Sequence, residues 1–96
     1  MVITILEARV AADKSAALEQ AFREAITQLD PGITQTFLLH SPTDPDLWRI
    51  ATVWRDRQAL DAMRRSPEPP RGILIFRAAG AEPVLSIWDV AAHRTG

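Results

Sequence analysis

The sequence predicts an α+β domain with the element order strand, helix, strand, strand, helix, strand. Four short segments are predicted as strands from β-branched content or from residues that alternate between two faces, and apolar residues recur at three- and four-residue steps between the first two. A six-residue run of turn formers joins the middle pair of strands. The chain has 96 residues, 47% hydrophobic and 24% charged, which leaves room for one domain. We expect that domain to span residues 1–96, with a core of about 1–91 and a tail at 92–96.

The first strand is predicted from Val2 to Val10 because this stretch is rich in β-branched residues. Its first half is apolar on both faces, with Thr4 and Leu6 on one and Ile3 and Ile5 on the other. A strand of this kind is covered on both sides. Helices of the same chain can cover one face, and a second sheet from a partner is the simplest cover for the other.

A helix is predicted next, with Asp13 as its N-cap and Asp30-Pro31-Gly32 as its end. Its predicted inner stripe follows helical spacing. The stripe comprises Leu18, Ala21, Phe22, Ala25, Ile26 and Leu29.

Two strands are predicted at Ile33–His40 and 47–55, joined by the turn-rich run 41–46 as an antiparallel hairpin. In the first of them, alternation groups Ile33 with Gln35, Phe37 and Leu39 on one face. In the second, it groups Trp48, Ile50, Thr52 and Trp54.

Asp56 can cap a second helix that turns Leu60 and Met63 inward and stops at the prolines of 67–70. The stretch 72–79 fits either a buried strand or a short helix. Gly80 and the Glu-Pro pair that follows favour the helix. The last strand is predicted at 84–91. This order is the ferredoxin-like βαββαβ arrangement, an antiparallel sheet with helices on one face, and the two-faced first strand favours a homodimer.

Composition excludes several classes of function. Eleven basic and twelve acidic residues give a formal charge of −1, with no basic stretch to follow a phosphate backbone, so we expect no nucleic acid partner. There is no cysteine, which removes thiolate chemistry and thiolate metal sites. The apolar start is interrupted by Glu7 and Arg9 and reads as a strand, not a signal peptide or membrane span. We therefore expect a cytoplasmic protein with no membrane partner.

Several short motifs resemble the antibiotic biosynthesis monooxygenase family. They are Ala11-Ala12-Asp13-Lys14 before the first helix, Pro31-Gly32-Ile33, the run from Trp48 to Asp56 leading into Ala59-Leu60, and Ser66-Pro67. Together the likeness covers roughly residues 1–91. It implies a homodimer whose two sheets face each other as a dimeric α+β barrel, with a mostly apolar pocket between sheet and helices in each subunit.

The resemblance also implies chemistry. Oxygenase members of the family oxidise polycyclic phenols or quinols with O2 without metal or flavin, whereas others bind and degrade haem. Trp54 matches a tryptophan that lines the pocket in the cofactor-free members. Ile50 stands where those members place an asparagine, and Pro67-Glu68 stands where some place a histidine. Both departures weaken the expectation of oxygen chemistry.

Three residues are candidate catalytic groups, and each also has a purely structural interpretation. Trp54 can line a substrate pocket or belong to the core. His40, at the end of the second strand, can act as a base or be solvated. Arg77 can steady an oxyanion, as can Arg71, or either can lie on the surface. The remaining expected substrate-pocket residues are Trp48, Ile50, Thr52, Phe22, Met63, Arg71 and Phe76.

Three functions remain open at this stage. The first is a cofactor-independent monooxygenase that acts on an aromatic phenol or quinol. The second is a non-catalytic dimeric barrel that binds a hydrophobic small molecule or serves as an accessory subunit. The third is haem binding, with His40 as the axial ligand. Because His40 and His93 lie far apart in the sequence, no metal site is expected.

Overall fold

A computed structural model of the chain describes all residues from Met1 to Gly96. Four strands and three α-helices follow one another in the predicted order, and the third helix forms at the stretch 72–79, where a short helix is predicted. The strands are β1 (Val2–Arg9), β2 (Ile33–His40), β3 (Leu47–Trp54) and β4 (Val84–Asp89), and the helices are α1 (Ser15–Ala25), α2 (Arg57–Arg64) and α3 (Arg71–Ala78).

The four strands form one antiparallel sheet in the order β2-β3-β1-β4. Both central strands, β1 and β3, pair along their full lengths, from Val2 opposite Trp54 to Arg9 opposite Leu47. This topology and the helices on one face confirm the predicted ferredoxin-like α+β fold.

Even-numbered residues of β1 and β3 face the helices and form the sheet side of the core, as their alternation predicts. The core divides into two clusters. The larger joins Leu6, Trp48 and Ile50 of the sheet to Leu18 and Phe22 of α1 and to Ile75 and Phe76 of α3, together with four smaller side chains. The smaller cluster joins Val2 and Trp54 to Leu60 of α2.

The close packing of α3 on β1 depends on a glycine. A Cβ atom on Gly72 would lie 2.5 Å from Cδ1 of Leu6, so any side chain here would displace that leucine. The short helix predicted for the stretch 72–79 is confirmed, and its first turn lies directly on the sheet.

Two local predictions about α1 are wrong. Asp13 does not cap the helix, because it lies inside a short 3₁₀ turn and no side chain caps α1. Instead, Ser15 Oγ donates to the carbonyl of Ala12 at 2.9 Å. The helix also ends at Ala25, so Ile26 and Leu29 follow the helix and do not continue its inner stripe. The predicted cap at Asp56 is confirmed, since its carboxylate accepts the backbone N–H of Ala59 at 2.8 Å.

The predicted alternation of β2 is wrong at its first residue. A shift in register between Ile33 and Gln35 places Ile33 opposite Trp54 on the helix-covered side. There Ile33 packs against the smaller core cluster, whereas Phe37 and Leu39 point away from the helices. A bulge of this kind turns one side chain to the other face without ending the strand.

No helix covers the opposite side of the sheet, which we call the open face. Its apolar side chains include Phe37 and Leu39 of β2, each 45% exposed, and Val84 and Trp88 of β4, which are 72% and 58% exposed. Odd-numbered residues of β1, such as Ile5, are half-buried beside them. None of the helices is long and apolar enough to cross a membrane.

Candidate functional site

A cavity of about 110 Å³ lies on the helix-covered side of the sheet, between the two core clusters. We call it the inner cavity. Its floor comes from all four strands, and its walls come from the three helices and the segment that follows α1. The apolar lining residues are Leu6, Phe22, Ala25, Ile26, Leu29, Ile33, Ile50, Trp54, Leu60, Met63, Pro70, Ile73, Ile75 and Leu85.

Three threonines supply the polar part of the floor. Thr36, Thr52 and Thr4 lie side by side on β2, β3 and β1, because Thr52 is paired with each of the other two. We call them the threonine row. Thr36 Oγ1 and Thr52 Oγ1 are 3.0 Å apart and share a hydrogen bond.

Trp54 connects the row to the cavity wall. Its ring is buried, at 3% exposure, and its Nε1–H donates to Oγ1 of Thr4 at 3.1 Å. This bond satisfies the one polar atom of the indole and fixes the plane of the ring. Trp54 is therefore a rigid part of the cavity wall.

Charged side chains lie at the mouth. Asp30, Arg64 and Arg71 all line the inner cavity. Arg71 Nη1 donates to the carbonyls of Gln28 and Ala25, which belong to the end of α1 and the segment after it. A cation is favourable at this position, beside the carbonyls at the C-terminal end of the helix. Neither Asp30 nor Arg64 forms a side-chain hydrogen bond or ion pair within the chain.

A wider and more polar space adjoins the inner cavity. This outer cleft, of about 520 Å³, lies between α2, the proline-rich segment before α3 and the loop before β2. It shares Asp30, Met63, Pro70 and Arg71 with the inner cavity. The two spaces therefore border each other at these residues, with the apolar lining in the inner cavity and most of the charged side chains in the outer cleft.

Six of the residues predicted from the sequence as site residues come together in this cavity. They are Phe22, Ile50, Thr52, Trp54, Met63 and Arg71. Four others lie elsewhere. Trp48 and Phe76 are part of the larger core cluster, and Phe76 is fully buried there.

His40 and Arg77 are also outside the inner cavity. The imidazole of His40 stacks on the indole of Trp48 with ring centroids 3.9 Å apart, and its Nε2 lies 2.8 Å from the carbonyl of Pro45. Arg77 pairs with Glu82 through two hydrogen bonds of 2.9 and 3.0 Å. That pair raises the pKa of Arg77 and lowers the pKa of Glu82.

Sequence reasoning missed Thr4, Thr36, Asp30 and Arg64. Alternation alone places Thr4 with Leu6 and Thr36 with Leu38, on the faces that the structure covers with helices. The row could be recognised only with the strand order and register, because these bring three separate threonines together. Asp30 was interpreted only as part of a helix end.

Haem does not fit this site. The inner cavity is far smaller than a four-ring macrocycle, and its lining contains no histidine, cysteine or tyrosine that could serve as the usual axial ligand. His40, the expected axial ligand, is at the end of β2 that is away from the cavity, and its Nε2 is hydrogen-bonded to the carbonyl of Pro45. No three His, Asp or Glu side chains come together as a metal-binding group.

Solved structures of known proteins share the fold. A Deinococcus radiodurans protein assigned to the antibiotic biosynthesis monooxygenases superposes with a TM-score of 0.77 at 15% identity, covering 99% of this chain and 97% of that one. The haem degrader MhuD of Mycobacterium tuberculosis gives 0.72 at 21% identity, covering 99% and 100%. SnoaB of Streptomyces nogalater, a cofactor-independent oxygenase, gives 0.69 at 18% identity, covering 98% and 94%. At these identities the likeness establishes the fold alone.

Sequence comparison identifies the family. None of the curated protein sequences matches the chain. The family model for antibiotic biosynthesis monooxygenase matches residues 1–69, which include β1, α1, the β2–β3 hairpin and α2. This segment contains Trp54 and the whole threonine row. The chain belongs to the antibiotic biosynthesis monooxygenase family.

Proposed function

We propose that the chain is a cofactor-independent monooxygenase that oxidises an aromatic phenol or quinol in the inner cavity. One observation supports the proposal most strongly. This chain belongs to the family, and its apolar cavity has Trp54 as a fixed wall and charged residues at its mouth. Such a cavity binds an aromatic ring and keeps bulk water away from it.

The reaction needs no resident electron carrier, because the substrate supplies all four electrons that reduce O2. A phenol with a free para position and O2 give a para-quinone and water, and a quinol with a free ring position and O2 give a hydroxyquinone and water. In both reactions one oxygen atom of O2 is bonded to the ring, and the other leaves as water with two hydrogens of the substrate. Loss of the phenolic proton makes the ring a stronger electron donor to O2. Catalysis then depends on binding the ring, accepting that proton and stabilising the anion.

The charged groups at the mouth are suited to the last two tasks. In this proposal the unpaired carboxylate of Asp30 accepts the phenolic proton, and Arg64 or Arg71 stabilises the anion. The geometry favours these arginines over Arg77, whose guanidinium is paired with Glu82 outside the cavity. Trp54 holds the ring.

Oxygen uptake tests the proposal. Purified protein should consume O2 with a panel of monocyclic and polycyclic quinols faster than the same quinols oxidise alone. Trp54→Phe should lower kcat/KM by at least about tenfold, the effect of about 1.4 kcal/mol in transition-state binding. Trp88→Phe, which keeps an aromatic ring on the open face outside the cavity, is the matched control and should retain both the rate and the wild-type mass in light scattering. Uptake that never exceeds the background for any quinol would refute the proposal.

A second candidate is a non-catalytic domain that binds a hydrophobic small molecule. The inner end of the cavity favours it, because only hydroxyls and an indole are polar there and Ile50 takes the place of an amide. Binding of quinols without any O2 uptake would select this candidate.

Both candidates include a homodimer formed through the open face. An exposed apolar surface that includes Phe37, Leu39 and Trp88 is typical of a protein interface. Light scattering should give about twice the 10.7 kDa mass of the chain. Phe37→Glu should give the single-chain mass and keep its circular dichroism spectrum, since Phe37 is outside the core. A wild-type mass of one chain at all concentrations would contradict the dimer.

A further inference from the structure

Two hydroxyl groups of the threonine row have no acceptor for their protons, and this determines which ligand atom the row can bind. Each threonine hydroxyl has one proton to donate and two lone pairs to accept with. Thr36 and Thr52 share one bond, so whichever hydroxyl donates, the proton of the other is left. Thr4 accepts from Trp54 and donates to no atom of the chain. Two hydroxyl protons of the row therefore have no acceptor within the chain.

Burial makes these protons significant. Thr4 is only 8% exposed, and Thr36 and Thr52 are half-buried under the helices. A buried donor without an acceptor is unfavourable, so a ligand that brings an acceptor gains binding free energy there. Apart from Gln28, Asp30, Arg64 and Arg71, the other side chains of the lining, which include Leu6, Phe22 and Leu60, offer only apolar contacts. The inner cavity is therefore complementary to an apolar ring with an oxygen atom at its buried edge.

The volume limits the size of that ring. An enclosed apolar cavity of about 150 Å³ takes up benzene. At about 110 Å³, the inner cavity admits no more than one aromatic ring, and any larger part of the ligand must extend into the outer cleft. The cleft is polar and carries both charges, and Asp30 and Arg71 line both spaces, so that part of the ligand is polar.

From these observations we infer that the ligand is a monocyclic quinol, or the corresponding quinone, with one oxygen on the threonine row and the opposite oxygen, with any further substituents, directed to Asp30 and the outer cleft. The inference rests on the proposed function in that it takes the inner cavity as the substrate site. It goes beyond that function by naming a one-ring substrate and the residues that select its oxygen.

Binding in the absence of oxygen tests the inference separately from turnover. The probes are 4-methylphenol, its near-isostere para-xylene, and the tricyclic 2-hydroxyanthracene. We expect 4-methylphenol to bind the wild-type protein more tightly than para-xylene by about 3- to 10-fold, the effect of one net hydrogen bond. We expect 2-hydroxyanthracene to bind at least about tenfold more weakly than 4-methylphenol. The opposite order in either comparison would overturn the inference.

A double variant locates the discrimination. Thr36→Val with Thr52→Val removes both partners of one bond and leaves neither unpaired, so the shape of the cavity is retained. This variant should show a smaller preference for 4-methylphenol, with the remainder due to Thr4, and keep its affinity for para-xylene. Thr34→Val, at an exposed threonine of the same strand, is the matched control and should keep the preference. Equal weakening of both ligands in the double variant would overturn the role of the row.

The two proposals can fail independently. If 4-methylphenol shows the expected pattern but no phenol or quinol supports O2 uptake, the inference stands and the monooxygenase activity fails. If only polycyclic quinols bind and support uptake, the activity stands and the inference is refuted. Should the double variant not fold, the wild-type affinities of the three probes alone decide the outcome.

Discussion

Replacement of Gly32 by alanine should destabilise the protein through a single identifiable contact. Gly32 has a φ of +90°, and a Cβ atom there would lie 2.3 Å from Cβ of Ala59 on α2. The left-handed backbone costs a non-glycine residue about 1–2 kcal/mol, and overpacking adds about 1–3 kcal/mol. We therefore expect Gly32→Ala to lower the free energy of unfolding by about 2–5 kcal/mol.

Gly80→Ala is the matched control. Gly80 has a similar φ of +75°, but nothing lies within 4 Å of its would-be Cβ. Gly80→Ala should lower the free energy of unfolding only by the backbone contribution of about 1–2 kcal/mol. Adding Ala59→Gly to Gly32→Ala should recover part of the loss by removing the overlap, although glycine in a helix itself costs about 1 kcal/mol.

Urea unfolding followed by tryptophan fluorescence measures all four variants, the fourth being Ala59→Gly alone. If Gly32→Ala is no more destabilising than Gly80→Ala, or if the losses at positions 32 and 59 simply add, the close approach of this loop to α2 is refuted. The point matters for function, because the loop also places Asp30 and Ile33 at the inner cavity.

Two further predictions concern the cavity wall and the cap of α2. Leu60→Ala should lower the free energy of unfolding by about 2–5 kcal/mol and enlarge the inner cavity. Its control, Leu74→Ala, is at a leucine that is 46% exposed and should cost less than about 1 kcal/mol. Equal losses in urea unfolding would contradict the assignment of Leu60 to the core. The backbone N–H of Ala59 donates to the Asp56 carboxylate and holds its pKa below the ordinary value of 3.8. The cap therefore stabilises the fold above pH 3.8, and this stabilisation is lost as the pH falls through the pKa of Asp56 in the folded state. Asp56→Asn keeps a hydrogen-bond acceptor but cannot titrate, so its urea midpoint should fall less steeply than that of the wild type below about pH 4. If the urea midpoints of the two proteins depend on pH in the same way, the capping role of the Asp56 carboxylate is contradicted.

Local chemistry made most of the fold predictable. The turn-rich run 41–46 and the two alternating strands around it were sufficient to predict the hairpin, and Asp56 was sufficient to predict the start of α2. The early end of α1 was not predictable from spacing, because Ile26 and Leu29 keep helical periodicity after the helix has ended. The bulge at Ile33 was hidden for a similar reason, since one displaced residue leaves a plausible alternation.

The site was predictable only in part. Trp54 and Ile50 could be assigned to one face from the sequence, but which end of that face holds a cavity depends on where the helices lie. Trp48 shares the face with Trp54, yet it is packed under α1 and α3 in the larger core cluster. The threonine row depends on cross-strand register, which a linear sequence does not specify.

The three indole N–H signals of the protein provide the most direct test that the inner cavity is a ligand site. Trp54 lines the cavity, Trp48 lies in the larger core cluster, and Trp88 lies on the open face with its Nε1 bonded to Ser86. In a ¹H–¹⁵N correlation spectrum recorded without oxygen, titration with hydroquinone should shift the Trp54 signal in a saturable manner and leave Trp88 in place. A titration that shifts only Trp88, or that leaves Trp54 unmoved at millimolar hydroquinone, would contradict the assignment of the cavity as the binding site.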